Sequence, residues 1–203
     1  MKNKLIIFDL DGTLLNTIGD LAIGCDHMLA LRGLKGHTYE EYCSFVGNGI
    51  MRLVERALPE ELRTEEYVKA ARRDFVEFYI DNIDNHTVPY KGMVELVEQL
   101  QTKGAKLAVA SNKFQAGTEK LIRKFFPTIE WVEICGNREG VPLKPDTALV
   151  DMILEKIADK FKNEQVTTID GVKIDFEEGW VHLRKSNTEP IIRVYSEGKT
   201  EAE

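Results

Sequence analysis

Cysteine is scarce in this 203-residue chain: Cys25, Cys43 and Cys135 are an odd number, and no two stand at CxxC spacing. That excludes a disulfide framework and a paired-thiolate zinc site, and fits buried thiols in a reducing compartment. Long apolar runs are missing too. Stretches such as 5–8 and 107–110 are far too short to cross a bilayer. No basic leader followed by an apolar stretch opens the chain, because the first apolar run meets Asp9 at once, so no secretory signal is expected. Positive charge is not in excess: 27 Lys and Arg stand against 34 Asp and Glu, giving a net −7 and a pI near 5.3. A broad nucleic-acid surface is excluded by that balance. Internal repeats and low-complexity linkers are absent as well. What remains is ordinary globular usage, 43% hydrophobic and 30% charged, in a length suited to one medium domain or two small ones. The expectation is an acidic cytoplasmic protein with neither membrane nor nucleic acid as partner.

Hydrophobic patterning divides the chain into three stretches. Residues 4–8 form a continuous apolar run closed by a turn signal, which reads as a strand of a parallel sheet. From 17 to about 79 the period turns helical, with Leu21, Cys25, Met28, Leu29 and Arg32 on one stripe and Ile50, Leu53, Val54 and Ala57 on another. This is a helical insertion. Strand and helix then alternate: a helix over 93–103 stopped by Gly104, a strand over 106–110, a helix over 117–126 and a strand over 130–134. Such alternation predicts an α/β fold with a parallel sheet and crossover helices. Beyond a helix over 146–161 come four short strand-like stretches, 166–169, 172–176, 180–184 and 191–196. With the Asp170-Gly171 turn among them, they predict a small antiparallel α+β segment. The composition shift near residue 155 is the candidate boundary.

Ligands of parallel sheets bind at the carboxyl ends of the strands. Asp9-Leu10-Asp11-Gly12-Thr13 stands at one such end, and on an extended backbone its two carboxylates face the same side. Gly12 allows a sharp turn and Thr13 offers a hydrogen bond, and both are candidate phosphate-binding residues. Two close carboxylates suit a hard divalent cation such as Mg²⁺. One could attack phosphorus while the other protonates the leaving oxygen. The same residues also read as an acidic turn that merely solvates a strand end. Ser111 and Asn112 follow a second buried strand with a hydroxyl and an amide suited to a phosphate oxygen. Lys144, before Pro145, supplies a cation for a transferring phosphoryl group.

In that order, the motifs resemble the haloacid-dehalogenase (HAD) superfamily, in the phosphoglycolate phosphatase type. The matching stretches are Phe8-Asp-Leu-Asp-Gly-Thr-Leu-Leu-Asn-Thr, Val109-Ala-Ser-Asn-Lys and Leu143-Lys-Pro-Asp, with Pro89-Tyr-Lys-Gly and Phe45-Val-Gly-Asn-Gly. The resemblance covers residues 1–154 and implies a mobile helical cap over about 17–85. It implies Asp9 as nucleophile, Asp11 as general acid and base, Ser111 on the phosphoryl oxygen and Lys144 on the intermediate, with Mg²⁺ held by Asp9 and the Asp11 backbone. Gly47-Asn48-Gly49 either touches the far end of the substrate or is a plain helix N-terminus. One departure stands out: the family's Gly-Asp pair, which completes the metal site, does not follow Lys144. Asp170, with Asp175 five residues on, is the candidate substitute ligand.

A second set of phosphate-binding residues crowds the C-terminal part. Arg184, Ser186, Asn187, Thr188 and Arg193 place two guanidinium forks and three neutral donors around one loop. Alone, this is also a polar hairpin with a basic edge. The stretches Ile169-Asp-Gly-Val-Lys-Ile, Gly179-Trp-Val and Arg184-Lys-Ser-Asn-Thr-Glu-Pro-Ile-Ile-Arg-Val resemble the C-terminal domain of the α-D-phosphohexomutases. In that family the loop grips a sugar phosphate. Lys185 replaces the family's usual proline, and neither a Ser-His phosphoserine loop nor an Asp-Gly-Asp metal loop is present, so a mutase is not expected.

Three readings follow. One is a Mg²⁺-dependent phosphomonoesterase acting on a small phosphorylated metabolite, with turnover impaired by the missing acid. Another is a phosphosugar-binding or regulatory module, with an inactive HAD-like core and a working Arg184–Arg193 loop. The last is a chimeric fusion without evolved activity. A sheet lacking its last strands exposes an apolar edge that invites oligomers. Strand 166–169 is expected to dock beside strand 5–8 and cover it.

Overall fold

The first apolar run forms β1 (Leu5–Phe8), which pairs in parallel with β4 (Lys106–Phe114). β4 in turn pairs in parallel with β5 (Trp131–Asn137), giving the order β1-β4-β5. The computed structural model describes residues 5–160 and, for the rest, the strand segments 165–167, 172–176, 179–185 and 192–198 by their backbone. The central strand has no polar alternation, because both of its faces are covered. Leu107 and Val109 join the large core that includes Val97 of α5 (Met93–Thr102) and Leu121 and Ile122 of α6 (Gln115–Phe125). Ala108 and Ala110 face the other way. Their small side chains meet Leu149, Ile153 and Ile157 of α7 (Ala148–Lys160) in a second cluster. The expected helix stop holds as well: Gly104 follows α5 with φ 82°, a left-handed turn that favours glycine.

The helical insertion is bracketed by a ribbon too short to carry any period. β2 (Leu15–Asn16) and β3 (Val88–Pro89) pair antiparallel, Leu15 with Pro89 and Asn16 with Val88. Between them lie α1 (Ile18–Ala30), α2 (Tyr39–Phe45), α3 (Gly49–Ala57), a 3₁₀ turn (Glu60–Leu62) and α4 (Glu65–Asn82). Their starts are legible. Thr38 and Glu41 form a reciprocal capping box on α2, and the Thr64 hydroxyl accepts from the Tyr67 N–H of α4. α1 and α4 cross closely at Gly24, where a Cβ would stand 2.9 Å from the Phe75 ring. Asp20, 2% exposed, closes the insertion: its carboxylate accepts from the His86 N–H, the Thr87 N–H and the Thr87 hydroxyl. Among the described residues, no helix is long and apolar enough to cross a membrane.

The C-terminal strands β6 (Gln165–Thr167), β7 (Val172–Phe176), β8 (Gly179–Lys185) and β9 (Ile192–Gly198) form a separate antiparallel sheet in the order β6-β7-β8-β9. The antiparallel segment is therefore as expected, but its docking is not. Val166 pairs with Ile174 rather than beside Leu5–Phe8. A hairpin closed over a few residues costs less chain entropy than a return across the whole sheet. Consequently β1 has β4 as its strand neighbour and carries no strand on its outer side among the described residues.

Candidate active site

Parallel pairing aligns the strand ends. Phe8 lies opposite Val109, the last pair of β1 with β4, so Asp9 and Ser111 follow that pair by one and two residues at the same end of the two strands. After Asp9 the chain turns tightly: the Leu10 carbonyl accepts from the N–H groups of Thr13, Leu14 and Leu15. Gly12 takes φ 78° within that turn. Leu10 is fully buried, while Asp9 and Asp11 on either side of it line one cleft of about 60 Å³. The strict alternation expected of the two acids is what the turn preserves.

Each acid meets a lysine. The Lys144 Nζ stands 2.8 Å from Asp9 Oδ1 and donates to the Ala110 carbonyl at 2.8 Å. Lys113 Nζ stands 3.0 Å from Asp11 Oδ1 and donates to the Tyr79 hydroxyl, also at 3.0 Å. The Thr17 hydroxyl gives Asp11 Oδ1 a second bond of 2.7 Å. Burial alone would push the Lys113 pKa down. The Asp11 carboxylate and Tyr79 outweigh it, and the net shift is upward, so the ammonium form is kept. Burial also pushes the Tyr79 phenol up to about 12, which keeps it protonated.

Ser111 is buried at the cleft wall, where its Oγ accepts from the Lys113 N–H at 3.2 Å and its own O–H is left to donate. Asn112 corrects an expectation. Its Oδ1 accepts from the Lys144 N–H at 2.7 Å, and its amide donates to the carbonyls of Lys144 and Gly47 at 3.2 and 3.3 Å. Those bonds engage both amide protons, so Asn112 fastens the Lys144 loop rather than a phosphate oxygen. Gly12 and Thr13, expected as phosphate ligands, are exposed and stand outside the cleft lining. They shape the turn instead.

The insertion supplies the opposite wall through Val46, Gly47, Gly49, Ile50 and Leu53, joined by Leu21. Arg56 secures the loop ahead of α3 by donating to the Phe45 carbonyl and to Asn48 Oδ1, both at 2.9 Å. Gly49 comes so close to the core that a Cβ there would stand 3.1 Å from Leu143 Cδ1, and its φ of 77° adds strain for any other residue.

A Mg²⁺ ion prefers hard oxygens, keeps several waters and takes one or two carboxylates beside a substrate phosphate. Asp9 and Asp11 fit that description. Among the described residues their contacts fall on Oδ1, leaving Oδ2 of each for a cation or a substrate. No cluster of three or more His, Cys, Asp or Glu able to hold a metal occurs among the described residues. Asp170, Ser186, Asn187 and Thr188 lie outside the described residues, as do the side chains of Arg184 and Arg193. The backbone sets Arg184 opposite Arg193 across β8 and β9.

Lys113, Thr17 and Tyr79 were not singled out from the sequence. Lys113 lies one residue past Ser111-Asn112 in the same motif stretch. Tyr79 continues the buried stripe of Val68, Ala71 and Phe75 on α4. Thr17 heads the first inserted helix.

Comparison with known proteins places these features in company. The family model described as haloacid dehalogenase-like hydrolase matches residues 6–180, and so runs past the join drawn near residue 154. A phosphoglycolate phosphatase of Mesorhizobium japonicum is 32% identical over 148 residues, covering 72% of this chain and 65% of the relative. Another from Aquifex aeolicus is 34% identical over 119 residues, covering 59% of this chain and 54% of the relative. The chain thus spans less than two thirds of the length of these two curated relatives. The crystal structure of a predicted phosphoglycolate phosphatase from Haemophilus somnus superposes with a TM-score of 0.68 at 29% identity, covering 76% of this chain and 72% of that one.

Proposed function

The chain belongs to the haloacid dehalogenase-like hydrolases, and on that premise we propose that it hydrolyses a small phosphate monoester of the phosphoglycolate type through an aspartyl-phosphate on Asp9. The observation that carries the reading is the Asp9–Lys144 pair at the mouth of the cleft, 2.8 Å apart, with the Ser111 hydroxyl on the same wall. In this reading Asp9 attacks phosphorus through its uncommitted oxygen, forming a P–O bond to the carboxylate while the ester P–O bond breaks. Asp11, which must first take up a proton as substrate binds, gives it to the departing alkoxide, then takes one from the water that hydrolyses the acyl phosphate. Lys144 and Ser111 meet charge on the phosphoryl oxygens. Mg²⁺, which Asp9 and the Asp11 backbone would hold, would neutralise the anionic substrate beside an anionic nucleophile. The helices of 17–85 act as a cap whose loop at Gly47–Gly49 closes the cleft and excludes water.

Because no Gly-Asp pair follows Lys144 in the sequence, with Asp170 as the candidate substitute, we further propose weakened metal binding and slowed turnover. Phosphate release from 2-phosphoglycolate across a Mg²⁺ series tests the whole reading. The wild-type protein releases phosphate, and Asp9→Asn lowers the rate by about 10⁴-fold or more. Equal rates in the two proteins overturn it.

A second reading concerns 155–203. Arg184 and Arg193 as cross-strand neighbours support a phosphosugar-binding loop between β8 and β9. Association through the outer side of β1 belongs to the same level of proposal.

A further inference from the structure

Lys113 is the least expected charge in the molecule. Its side chain is 2% exposed, and burying an ammonium is costly unless partners offset the lost hydration. A methionine would fill the same space at less cost. The backbone goes to some length to place it. Pairing between β4 and β5 keeps one register from Ala108 to Ala110 and resumes, shifted, at Phe114, so Ser111, Asn112 and Lys113 stand on an irregular stretch. That stretch is gripped from behind. The Lys113 carbonyl accepts from the Thr118 hydroxyl at 3.2 Å, and a Cβ on Gly136 would lie 2.7 Å from the same oxygen.

Forward of it, the ammonium reaches two groups. One is Asp11 Oδ1. The other is Tyr79, fully buried on α4, whose ring stacks on Phe75 with centroids 5.0 Å apart. Asp11 Oδ1 thereby takes one donor from the segment leading into the insertion, Thr17, and one that is itself held by the segment's last helix. A carboxylate oxygen with two donors cannot rotate without breaking them, and its second oxygen is thereby aimed.

We propose that Lys113 is the positioning residue of Asp11, and that Tyr79 ties the seating of the inserted helices to the placement of that acid. This rests on the reading of Asp11 as the group that protonates the leaving oxygen. A cap that is not seated then leaves the acid unaimed, and the ester bond is broken efficiently only when the cleft is closed.

The test uses two esters that differ in their need for a proton. An alkyl phosphate such as 2-phosphoglycolate must have its leaving oxygen protonated, whereas nitrophenolate leaves p-nitrophenyl phosphate unaided. For Lys113→Met, the single-turnover rate at which the alkyl ester phosphorylates Asp9 falls about 100-fold, the size of a general-acid contribution, while the same rate with the aryl ester changes little. This first step is the one to compare, because hydrolysis of the acyl phosphate uses Asp11 for both esters. Tyr79→Phe shows the same selective loss at a smaller size, and Lys113→Arg recovers part of the alkyl rate. Equal losses on both esters, or none on either, overturn the proposal. Should Lys113→Met fail to fold by circular dichroism, Tyr79→Phe decides by the same ratio. A wild-type protein inactive on both esters, or an Asp9→Asn variant as active as wild type, removes the phosphatase reading itself and this proposal with it.

Discussion

Two aspartates two residues apart meet two lysines at nearly the same distance, 2.8 and 3.0 Å, yet the surroundings of the two pairs are opposite. Asp9 and Lys144 have side chains 45% and 27% exposed; Asp11 and Lys113 are at 19% and 2%. An ion pair in reach of water is worth about 0–1 kcal/mol, so it separates readily. Breaking a buried pair by removing one partner costs about 3–5 kcal/mol, so it stays where the fold puts it. In the proposed reaction, this difference lets one short turn hold a group that reacts beside a group that stays aimed. Lys144 can leave Asp9 for an incoming phosphoryl oxygen. Lys113 has nowhere else to go.

Removing Lys144 is the strongest way to break this contrast. In Lys144→Met, kcat on 2-phosphoglycolate falls about 10²–10³-fold, the range for loss of one charge-stabilising donor. Its melting temperature stays close to wild type, because the pair it leaves is half in water. A loss of thermal stability as large as that of Lys113→Met would show the two pairs to be alike. Asn112→Ala sharpens the contrast further. It keeps both lysines but frees the Lys144 backbone from its bonds of 2.7 and 3.2 Å to the amide. Misplacement of that cation lowers kcat about tenfold, less than its removal. The comparison is read from kcat for the two variants on one ester.

The convergence of these side chains was legible in the sequence because ligands of parallel sheets bind at strand ends, and those ends carry local signals. Asp9, Ser111 and Lys144 converge as expected, and the layers follow from apolar runs and helical stripes. Three things were not legible, each for its own reason. Lys113 reads as a solvated surface charge until the irregular pairing after Ala110 is known, since one residue of slip decides which face a strand residue takes. The β2–β3 ribbon is two residues long and has no period to detect. Asn112 has the chemistry of a phosphate ligand, and only the return of the 143–145 loop beside it shows that its bonds are already spent on Lys144 and Gly47. The docking of 166–169 on β1 failed because a local hairpin partner was available a few residues downstream.

The smallest test concerns the third group on Asp11. Thr17 stands at the N-cap of α1, where a threonine hydroxyl ordinarily accepts from its own helix, yet it makes no such cap bond. Its hydroxyl goes instead to Asp11 Oδ1 at 2.7 Å, and the residue is 3% exposed. Thr17→Val keeps the shape and takes away only that donor, so the helix loses no cap. Asp11 retains Lys113, and the cost is that of one hydrogen bond to a charged group, about 1.5–3 kcal/mol by urea denaturation. The alkyl-ester rate falls less than in Lys113→Met, because the ammonium still aims the carboxylate. A variant as stable as wild type would mean that Asp11 is free to turn, and then the buried pair holds its acid no more firmly than the exposed pair holds Asp9.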